Sequence, residues 1–360
     1  MSDWEDPYYR LPRKNPNLQR VWKARAHAKV NIHLGVGPAR EDGYHELSTV
    51  FQSVDIYDDI TLTIRDEVIE RGYSPVVGPL KITGPTAAGV PTDESNLVWK
   101  AIDRLAVHVP LTYPRLDVEI HKRIPAAGGM AGGSADAAAA LMLAQKLYAT
   151  YFELDIASDE ILQDIAADLG SDVPFTMMGG TALGKGRGEV LSPMLTRGTY
   201  HWCFIASHQG LSTPDVFRKL DEMREASGSD ASRVKDVPRD GQAAGDASRE
   251  TSSASLLEPS LDVTEVAQAL VSGDVHRLAK VLKNDLQPAA LSLRPDLRKT
   301  LEVGKDAGAL AGIVSGSGPT IAFLCEDAAQ AEEVRTQVTL ELPKTRGYVT
   351  SSPAPGVRIL

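Results

Sequence analysis

The sequence predicts an α+β fold, and three observations carry that prediction. A strictly alternating strand lies near the start of the chain, a glycine loop opens an alanine-rich helix in its middle, and amphipathic helices with short strands follow. These elements mix without the regular alternation of strand and helix that a doubly wound parallel sheet requires. The 360 residues suffice for one large domain or two ordinary ones with a buried core.

Composition and charge exclude several functional classes. Charged residues make up 24% and hydrophobic residues 42% of the chain, as in soluble globular proteins. A formal net charge of -10 argues against broad binding to nucleic acid or to an anionic membrane. Cys203 and Cys325 lie in apolar runs, and neither has a Cys or His at ligand spacing, which favours buried thiols in a reducing compartment. Since we find no spanning apolar run and no hydrophobic leader, we expect a cytoplasmic protein.

Shifts in composition indicate how the chain is divided. Residues 1–20 are polar and proline-rich, which predicts a flexible tail. A further shift near 192–199 places a domain boundary there, so that 21–194 and 195–360 form an N-terminal and a C-terminal domain. Residues 226–255 are mostly Ser, Ala, Asp, Gly and Arg with almost no aliphatic side chains, so we expect a disordered insertion.

The first strong signal is the strand over residues 26–34. Apolar residues alternate there with polar ones, the pattern of a half-buried strand. Lys29 and Asn31 share the polar face two residues apart, so both can reach one ligand. A merely solvated polar face is the alternative interpretation.

The remaining elements follow from the same kinds of signal. Strands are predicted around 49–56, 60–64, 116–120, 202–206, 320–325 and 348–350, and helices around 97–105, 159–169, 263–271, 275–284, 295–306 and 328–338, with a further helix starting at Thr213. The helix 159–169 has the clearest ends, because Ser158 can cap it and Gly170 can stop it. A cap at Asp93 or Ser95 is expected for the helix 97–105. Residues 175–191 are punctuated by glycine, which predicts strands with a turn at 184–186.

The glycine loop before the alanine-rich helix has the chemistry of an anion site. Gly128, Gly129, Gly132 and Gly133 follow a predicted strand and lead into residues 137–143, which are strong helix formers. Ser134 or Asp136 can cap the first turn of that helix. Backbone N–H groups at such a helix start, together with the helix dipole, favour a bound phosphate.

The type of phosphate loop is narrowed by elimination. The dinucleotide pattern G-x-G-x-x-G is absent, and the spacing from Gly128 to Gly133 is followed by Ser134 rather than by the lysine of a P-loop. A phosphate bound here therefore needs its positive charge from elsewhere in the chain. A small-residue linker, or a helix start packed closely on its neighbours, remains the alternative.

Three separated motifs together resemble the GHMP kinase superfamily. They are AKVNIHLGVG with DGYHEL near the start, PAAGGMAGGSADAAAAL in the middle and VSGSGPT near the end. The superfamily phosphorylates small alcohols, and a few phosphorylated substrates, with ATP. The resemblance implies an N-terminal domain like domain 2 of ribosomal protein S5 and a ferredoxin-like C-terminal domain, with the site between them. It also implies ATP as co-substrate and Mg²⁺, whose ligands it does not assign.

Within the superfamily, the chain is most similar to members that act on a cytidine-diphosphate-linked methylerythritol. The features that indicate this are Ala28-Lys29-x-Asn31, DGYH at 42–45, GSDVPF at 170–175 and Thr213-Pro214-x-Val216-Phe217. The implied reaction is phosphorylation of the 2-hydroxyl in the non-mevalonate isoprenoid precursor pathway. A homoserine-type or mevalonate-type kinase, or a non-catalytic ligand-binding relative, is the alternative. The implied partner is a small molecule and neither a nucleic acid nor a membrane.

The resemblance also implies roles for individual residues. Asp172 would be the catalytic base, and Lys29 beside it would keep the carboxylate charged and orient the attacking oxygen. From the residues alone, an Asx turn or a helix cap would explain Asp172 equally well. Tyr44 and Phe217 would enclose the cytosine ring, His45 would hydrogen-bond its edge, and Asn31 would contact the substrate near the transferred group.

The loop would wrap the ATP phosphates, and residues 315–318 would close against it. The implied ATP-binding residues are Pro125, Ala126, Ala127, Gly128, Gly129, Met130, Ala131, Gly132, Gly133, Ser134 and Ala135. The family loop tends to read P-x-G-G-G-L-G-G-G-S-S, so Ala127, Met130, Ala131 and Ala135 depart from it. Alanine permits fewer backbone conformations than glycine, so these departures predict a slightly different loop shape. Ser134 is left as the hydroxyl of this loop that can reach a phosphate or Mg²⁺.

Overall fold

The computed structural model describes residues 18–72, 75–125, 128–207, 209–234 and 257–360, with the backbone alone over 228–234. The strands are β1 (Val21–Ala39), β2 (His45–Glu70), β3 (Val77–Thr83), β4 (Thr112–His121), β5 (Thr181–Lys185), β6 (Val190–Pro193), β7 (Tyr200–Ser207), β8 (Lys283–Asn284), β9 (Ala311–Val314), β10 (Ile321–Cys325), β11 (Thr345–Ser352) and β12 (Arg358–Ile359). The helices are α1 (Leu97–Ala106), α2 (Gly132–Phe152), α3 (Asp159–Leu169), α4 (Val173–Met178), α5 (Thr213–Val234), α6 (Thr264–Ser272), α7 (Val275–Val281), α8 (Gln287–Leu293), α9 (Asp296–Asp306) and α10 (Ala328–Glu341).

The first sheet is organised around the long antiparallel pair β1 and β2. Its strands run in the order β12-β1-β2-β4-β3, with β5 and β6 attached beside β2 and β8 parallel to β1. The predicted strands 49–56 and 60–64 are one continuous strand, β2. The apolar residues of β1 lie in the core as predicted, because the even residues from Ala24 to Ile32 are fully buried. The strand is not half-buried, however, since its polar residues Lys29, Asn31 and His33 are buried too.

The second sheet is antiparallel, in the order β11-β7-β10-β9, and each of its faces is covered. Trp202 and Phe204 of β7 pack into the core of the first sheet, whereas Cys203 and Ile205 pack into a second core with α10. The Trp202 indole donates to Ser352 Oγ at 2.8 Å, so a buried hydrogen bond joins β7 to β11. Both sheets therefore share one packed interior.

Helix α2 is buried on almost every side over its first turns. Residues 137–140 are all alanines with no exposed surface, and the helix packs against α1 and β1. A helix surrounded by other elements needs small side chains where neighbouring backbones approach closely. The alanine-rich sequence therefore places the start of α2 deep in the molecule, next to the polar face of β1.

Helix ends were predicted with mixed success. Helix α3 has Ser158 as cap and Gly170 as stop, as predicted. The cap of α1 is Asn96, whose side chain accepts from Val98 N, rather than Asp93 or Ser95. The predicted cap of α2 is also wrong, because α2 follows Ala131 and has no side-chain cap.

Three further predictions are corrected. Residues 173–178 form helix α4 rather than the predicted strand, since the proline sits in its first turn, where a helix tolerates it. Helix α7 ends at Val281, and residues 283–284 form β8; helix α8 was not predicted. Helix α5 runs to Val234, so the first part of the predicted insertion 226–255 is helical.

Other predictions fall at or beyond the edge of the described residues. Positions 235–255 of the predicted insertion and 1–17 of the predicted tail lie outside them, as do Ala126 and Ala127. The domain boundary near 194 stays a prediction, while β8 and β12 pair with β1 across it. Cys203 and Cys325 are buried and free, and burial raises the pKa of both thiols. Within the described ranges, no helix is long and apolar enough to cross a bilayer.

Candidate active site

A cavity of about 830 Å³ is lined by residues from positions 29 to 318. Its walls come from the polar face of β1, the glycine loop, the turn before α4, the start of α5 and the loop after β9. The lining includes Lys29, Asn31, Tyr44, His45, Gly128, Gly129, Gly132, Gly133, Ser134, Asp172, Arg187, Phe217, Asp221, Gly316 and Ser317. Every predicted catalytic and substrate-binding residue therefore contributes to one cavity.

Lys29 and Asp172 form an ion pair at the centre of this cavity. Lys29 Nζ lies 3.4 Å from Asp172 Oδ2, and 5% of the lysine side chain and 30% of the aspartate side chain are exposed. The same ammonium donates to Asn31 Oδ1 at 2.7 Å, and Asn31 Nδ2 donates to Thr49 Oγ1 at 2.8 Å. These bonds fix the lysine from one side, while the carboxylate stays open to the cavity.

The position of Asp172 follows from the turn between α3 and α4. Gly170 ends α3 in an extended conformation, and Asp172 is the residue immediately before α4. Its side chain makes no capping hydrogen bond, so the interpretation of Asp172 as a helix cap is wrong. A carboxylate that serves no cap is free to accept a proton or a hydrogen bond from a ligand.

The glycine loop packs closely on the loop after β9. Gly129 has φ +71°, and a Cβ there would lie 2.1 Å from Ser315 O. Ser315 Oγ donates to Gly129 O at 3.1 Å, and Met130 O accepts from Lys29 N at 3.2 Å. The loop is thus held between β1 and the chain that follows β9, as the resemblance implied for residues 315–318.

The start of α2 has no capping side chain. Ala131 adopts a left-handed conformation with φ 59°, and the first backbone bond of the helix runs from Ala135 N to Ala131 O. The N–H groups ahead of Ala135 therefore have no partner within the helix. Gly132, Gly133 and Ser134 line the cavity here, whereas Ala135 is fully buried in the core.

A buried charge cluster, which we did not predict, supports this helix start. Lys122 Nζ lies 2.5 Å from Asp58 Oδ2 and 2.5 Å from Asp136 Oδ2 in the first turn of α2. Asp58 Oδ1 also accepts from the backbone N–H of Ile124 at 2.9 Å. Burial lowers the pKa of Lys122, but the two carboxylates outweigh it, so the pKa lies above its ordinary value. Burial raises the pKa of Asp136 well above its usual range.

Aromatic side chains form the other end of the cavity. The rings of His45 and Phe217 have centroids 5.0 Å apart with planes tilted by 34°. Tyr44 is 52% exposed, and the Arg187 guanidinium lies 5.0 Å from its ring centroid. Tyr44, His45 and Phe217 thus all line this end of the cavity. The ring of His45 packs directly on the ring of Phe217.

Two residues at this end escaped the sequence interpretation, Arg187 and Asp221. His45 Nε2 lies 3.0 Å and 3.1 Å from the two carboxylate oxygens of Asp221. The spacing of Phe217 and Asp221, four residues apart on α5, was the available signal. Such residues share a helix face, although the sequence alone does not say what that face contacts.

The loop after β9 closes the cavity over Lys29. Gly316 has φ +57°, and a Cβ there would lie 3.3 Å from Lys29 Nζ. Ser317 Oγ and Thr213 Oγ1 are 2.8 Å apart, which ties this loop to the start of α5. In the part of the chain that the structure describes, no group of three or more His, Cys, Asp or Glu side chains could hold a metal ion.

Comparison with known families matches both halves of the chain. The model described as GHMP kinases N terminal domain matches residues 96–180, and that described as GHMP kinases C terminal matches residues 266–344. A Corynebacterium efficiens protein named 4-diphosphocytidyl-2-C-methyl-D-erythritol kinase is 49% identical over 338 residues, covering 92% of this chain and 94% of that protein. A Nocardia farcinica protein of the same name is 46% identical, with 93% and 95% covered.

Solved structures agree with this assignment. A crystal structure of 4-(cytidine 5'-diphospho)-2C-methyl-D-erythritol kinase superposes with a TM-score of 0.65 at 26% identity, covering 92% of this chain and 99% of that one. The mevalonate kinase of L. major gives a TM-score of 0.67 at 15% identity, covering 93% and 97%, which shows a shared fold. The predicted α+β class and two-domain fold are therefore confirmed. The chain belongs to the GHMP kinase family.

Proposed function

We propose that this protein phosphorylates the 2-hydroxyl of 4-diphosphocytidyl-2-C-methyl-D-erythritol with ATP, giving the 2-phosphate and ADP. The observation that carries the proposal is the Lys29–Asp172 pair at the centre of a cavity with an anion site at one end and an aromatic cluster at the other. The γ-phosphate of ATP and the hydroxyl of the cytidyl substrate would then meet at the Lys29–Asp172 pair. Relatives at 49% and 46% identity bear the corresponding name. Because substrate and ATP are soluble metabolites, we also propose a cytoplasmic location.

Asp172 is the base in this proposal. Its carboxylate accepts the proton of the 2-hydroxyl, the oxygen attacks the γ-phosphorus, and the bond to the bridging oxygen of ADP breaks. The ammonium of Lys29 binds the attacking oxygen and a γ-phosphate oxygen. Asn31 Oδ1 accepts a hydrogen bond from the same ammonium and so holds it in place. In phosphoryl transfer, positioning and charge stabilisation supply most of the catalysis, so a fixed ammonium and an open carboxylate are the parts required.

The glycine loop and the start of α2 hold the phosphates of ATP. The N–H groups of Gly132, Gly133 and Ser134 have no partner within the helix, since they belong to its first turn. The helix dipole favours negative charge at this end. Lys29 supplies the charge that the loop lacks. This division explains how a loop without the P-loop lysine can serve a nucleotide.

A magnesium ion fits this donor set. Mg²⁺ retains several waters and binds through one or two protein oxygens together with the phosphates of its nucleotide. The Ser134 hydroxyl lines the cavity beside the start of α2 and would hold the ion together with the phosphates. When bound, the ion neutralises charge on the transferred phosphoryl group.

The proposal is tested by an assay of ADP release with three alcohols in parallel. We expect turnover with the cytidyl substrate and none with homoserine or mevalonate. Tyr44, His45 and Phe217 line the cavity, and in this proposal they bind the cytosine ring, which the two smaller alcohols lack. Turnover of homoserine or mevalonate alone would overturn the proposed substrate, and no turnover with any of them would favour a binding protein.

Replacing Phe217 or Tyr44 by alanine should weaken the binding of the cytidyl substrate. Each lost stacking partner is expected to cost about 1–3 kcal/mol of binding free energy, or roughly 5-fold to 150-fold in Kd. Isothermal calorimetry on each variant measures this change. Tyr57→Ala is the matched control, because Tyr57 packs under Arg25 and does not line the cavity. Equal affinities in all three variants would show that the base binds elsewhere.

A further inference from the structure

Helix α5 contacts the imidazole of His45 at two places. Phe217 packs on the ring with centroids 5.0 Å apart, and Asp221, four residues later, lies against Nε2. Residues four apart on a helix point to the same side, so one element supplies both contacts. The side chain of His45 is 8% exposed and that of Asp221 is 34% exposed. His45 is therefore held both at its face and at its Nε2 edge.

The contact with Asp221 determines where a neutral His45 carries its proton. An ionised carboxylate only accepts hydrogen bonds, so the ring nitrogen opposite it must donate. With both carboxylate oxygens within 3.1 Å of Nε2, the proton of the neutral ring resides on Nε2. Nδ1 is then an acceptor, and among the described residues it has no hydrogen-bond partner. His45 also lines the cavity.

An acceptor at this place discriminates between pyrimidine bases. Cytosine carries an amino donor at C4, whereas uracil carries a carbonyl oxygen there. The amino group can donate to Nδ1, but a carbonyl would face Nδ1 with lone pairs on both sides. A buried polar group without a partner is costly, so the mismatch counts against uracil.

We propose that Asp221 is a positioning residue that makes the site prefer cytidine over uridine by fixing the tautomer of His45. This inference rests on the proposed cytidyl substrate and assigns it a means of base selection. Asp221 acts through His45 and does not itself contact the reacting atoms. Its replacement should change which base binds.

Asp221→Asn is the informative variant, because asparagine keeps the shape of the side chain. Its amide can either accept from Nε2–H or donate to a bare Nε2, so both tautomers of His45 become possible. Glu225→Gln is the matched control on the same helix. Glu225 is exposed and does not line the cavity.

The test measures Kd for CDP and for UDP by calorimetry, with the ATP site filled by a non-hydrolysable ATP analogue. We expect the wild type and Glu225→Gln to bind CDP about 10-fold to 100-fold more tightly than UDP. In Asp221→Asn the ratio of the two Kd values should fall to about 3-fold or less, because one tautomer of His45 can then bind cytosine and the other uracil. The kcat with the cytidyl substrate should stay within about 2-fold of wild type in Glu225→Gln, since that change lies outside the cavity.

Nitrogen NMR of labelled histidines adds a readout that needs no substrate. In the neutral ring of the wild type, His45 should show protonated Nε2 and bare Nδ1, and in Asp221→Asn a mixture of tautomers. A single unchanged tautomer in the variant, or an unchanged CDP to UDP ratio, would overturn the role of Asp221. A wild type that binds neither nucleotide would instead overturn the proposed substrate, so the two failures are distinguishable.

Discussion

Asp172→Asn should lower kcat by about 10²-fold or more while the cytidyl substrate still binds. The amide keeps the size of the carboxylate but cannot take the proton of the 2-hydroxyl, so the loss falls on the chemical step. Because the Asp172 side chain makes no capping bond, α4 should keep its stability. Single-turnover kinetics and calorimetry, performed on the same preparation, separate the chemical step from binding.

A surface carboxylate provides the comparison for this variant. Asp168 pairs with Arg104 at 2.8 Å and is 72% exposed, so Asp168→Asn removes an equal charge away from the cavity. We expect its kcat to match the wild type. If Asp172→Asn also retained kcat within about 3-fold, the proton would have to leave by another route and Asp172 would not be the base.

Gly129→Ala should abolish most of the affinity for ATP. The added Cβ would lie 2.1 Å from Ser315 O, and φ is +71°, so both the contact and the conformation oppose a side chain. The backbone must then move, and with it the loop that holds the phosphates. We expect Kd for an ATP analogue to rise by at least about 10-fold, the equivalent of about 1.4 kcal/mol. Calorimetry measures the affinity and thermal unfolding measures the accompanying loss of stability.

Gly89→Ala distinguishes the contact with Ser315 from the strain of a positive φ as the cause of the lost ATP affinity. Gly89 has a similar φ of +78°, but nothing lies within 4 Å of its Cβ position, and it does not line the cavity. A left-handed alanine costs about 1–2 kcal/mol of folding free energy, so this variant should lose stability but keep its affinity for ATP. Equal loss of affinity in both variants would indicate a general effect of strain, without a role for the contact with Ser315.

The sequence was most informative where a pattern repeats locally. The alternation over 26–34 predicted a strand correctly, but not that its polar face would be buried as well as its apolar face. Helix α4 was misassigned because a glycine-rich context outweighed the proline in its first turn. The start of α2 follows from an alanine at φ 59°, a conformation that composition does not reveal.

The residues of the candidate site could also be predicted only in part. Lys29 and Asn31 share a strand face, so their proximity could be predicted, whereas Asp172 needed the family resemblance. Asp221 meets His45 across 176 positions, and Lys122 meets Asp58 across 64. Side chains that converge over such distances depend on strand pairing and helix packing, which local periodicity does not encode.

Residues far along the chain complete the strand that carries Lys29. Ser53 lies opposite Lys29 in the β1–β2 register, and its carbonyl accepts from Ala354 N at 2.9 Å. Further along β1, Ala24 pairs with Ile359 of β12. Contacts of such sequence separation form slowly, since a long chain segment must be closed before they form. During synthesis, the pairing of β1 with β12 and the contact of Ser53 with Ala354 therefore stay unformed until residues 354–359 have left the ribosome.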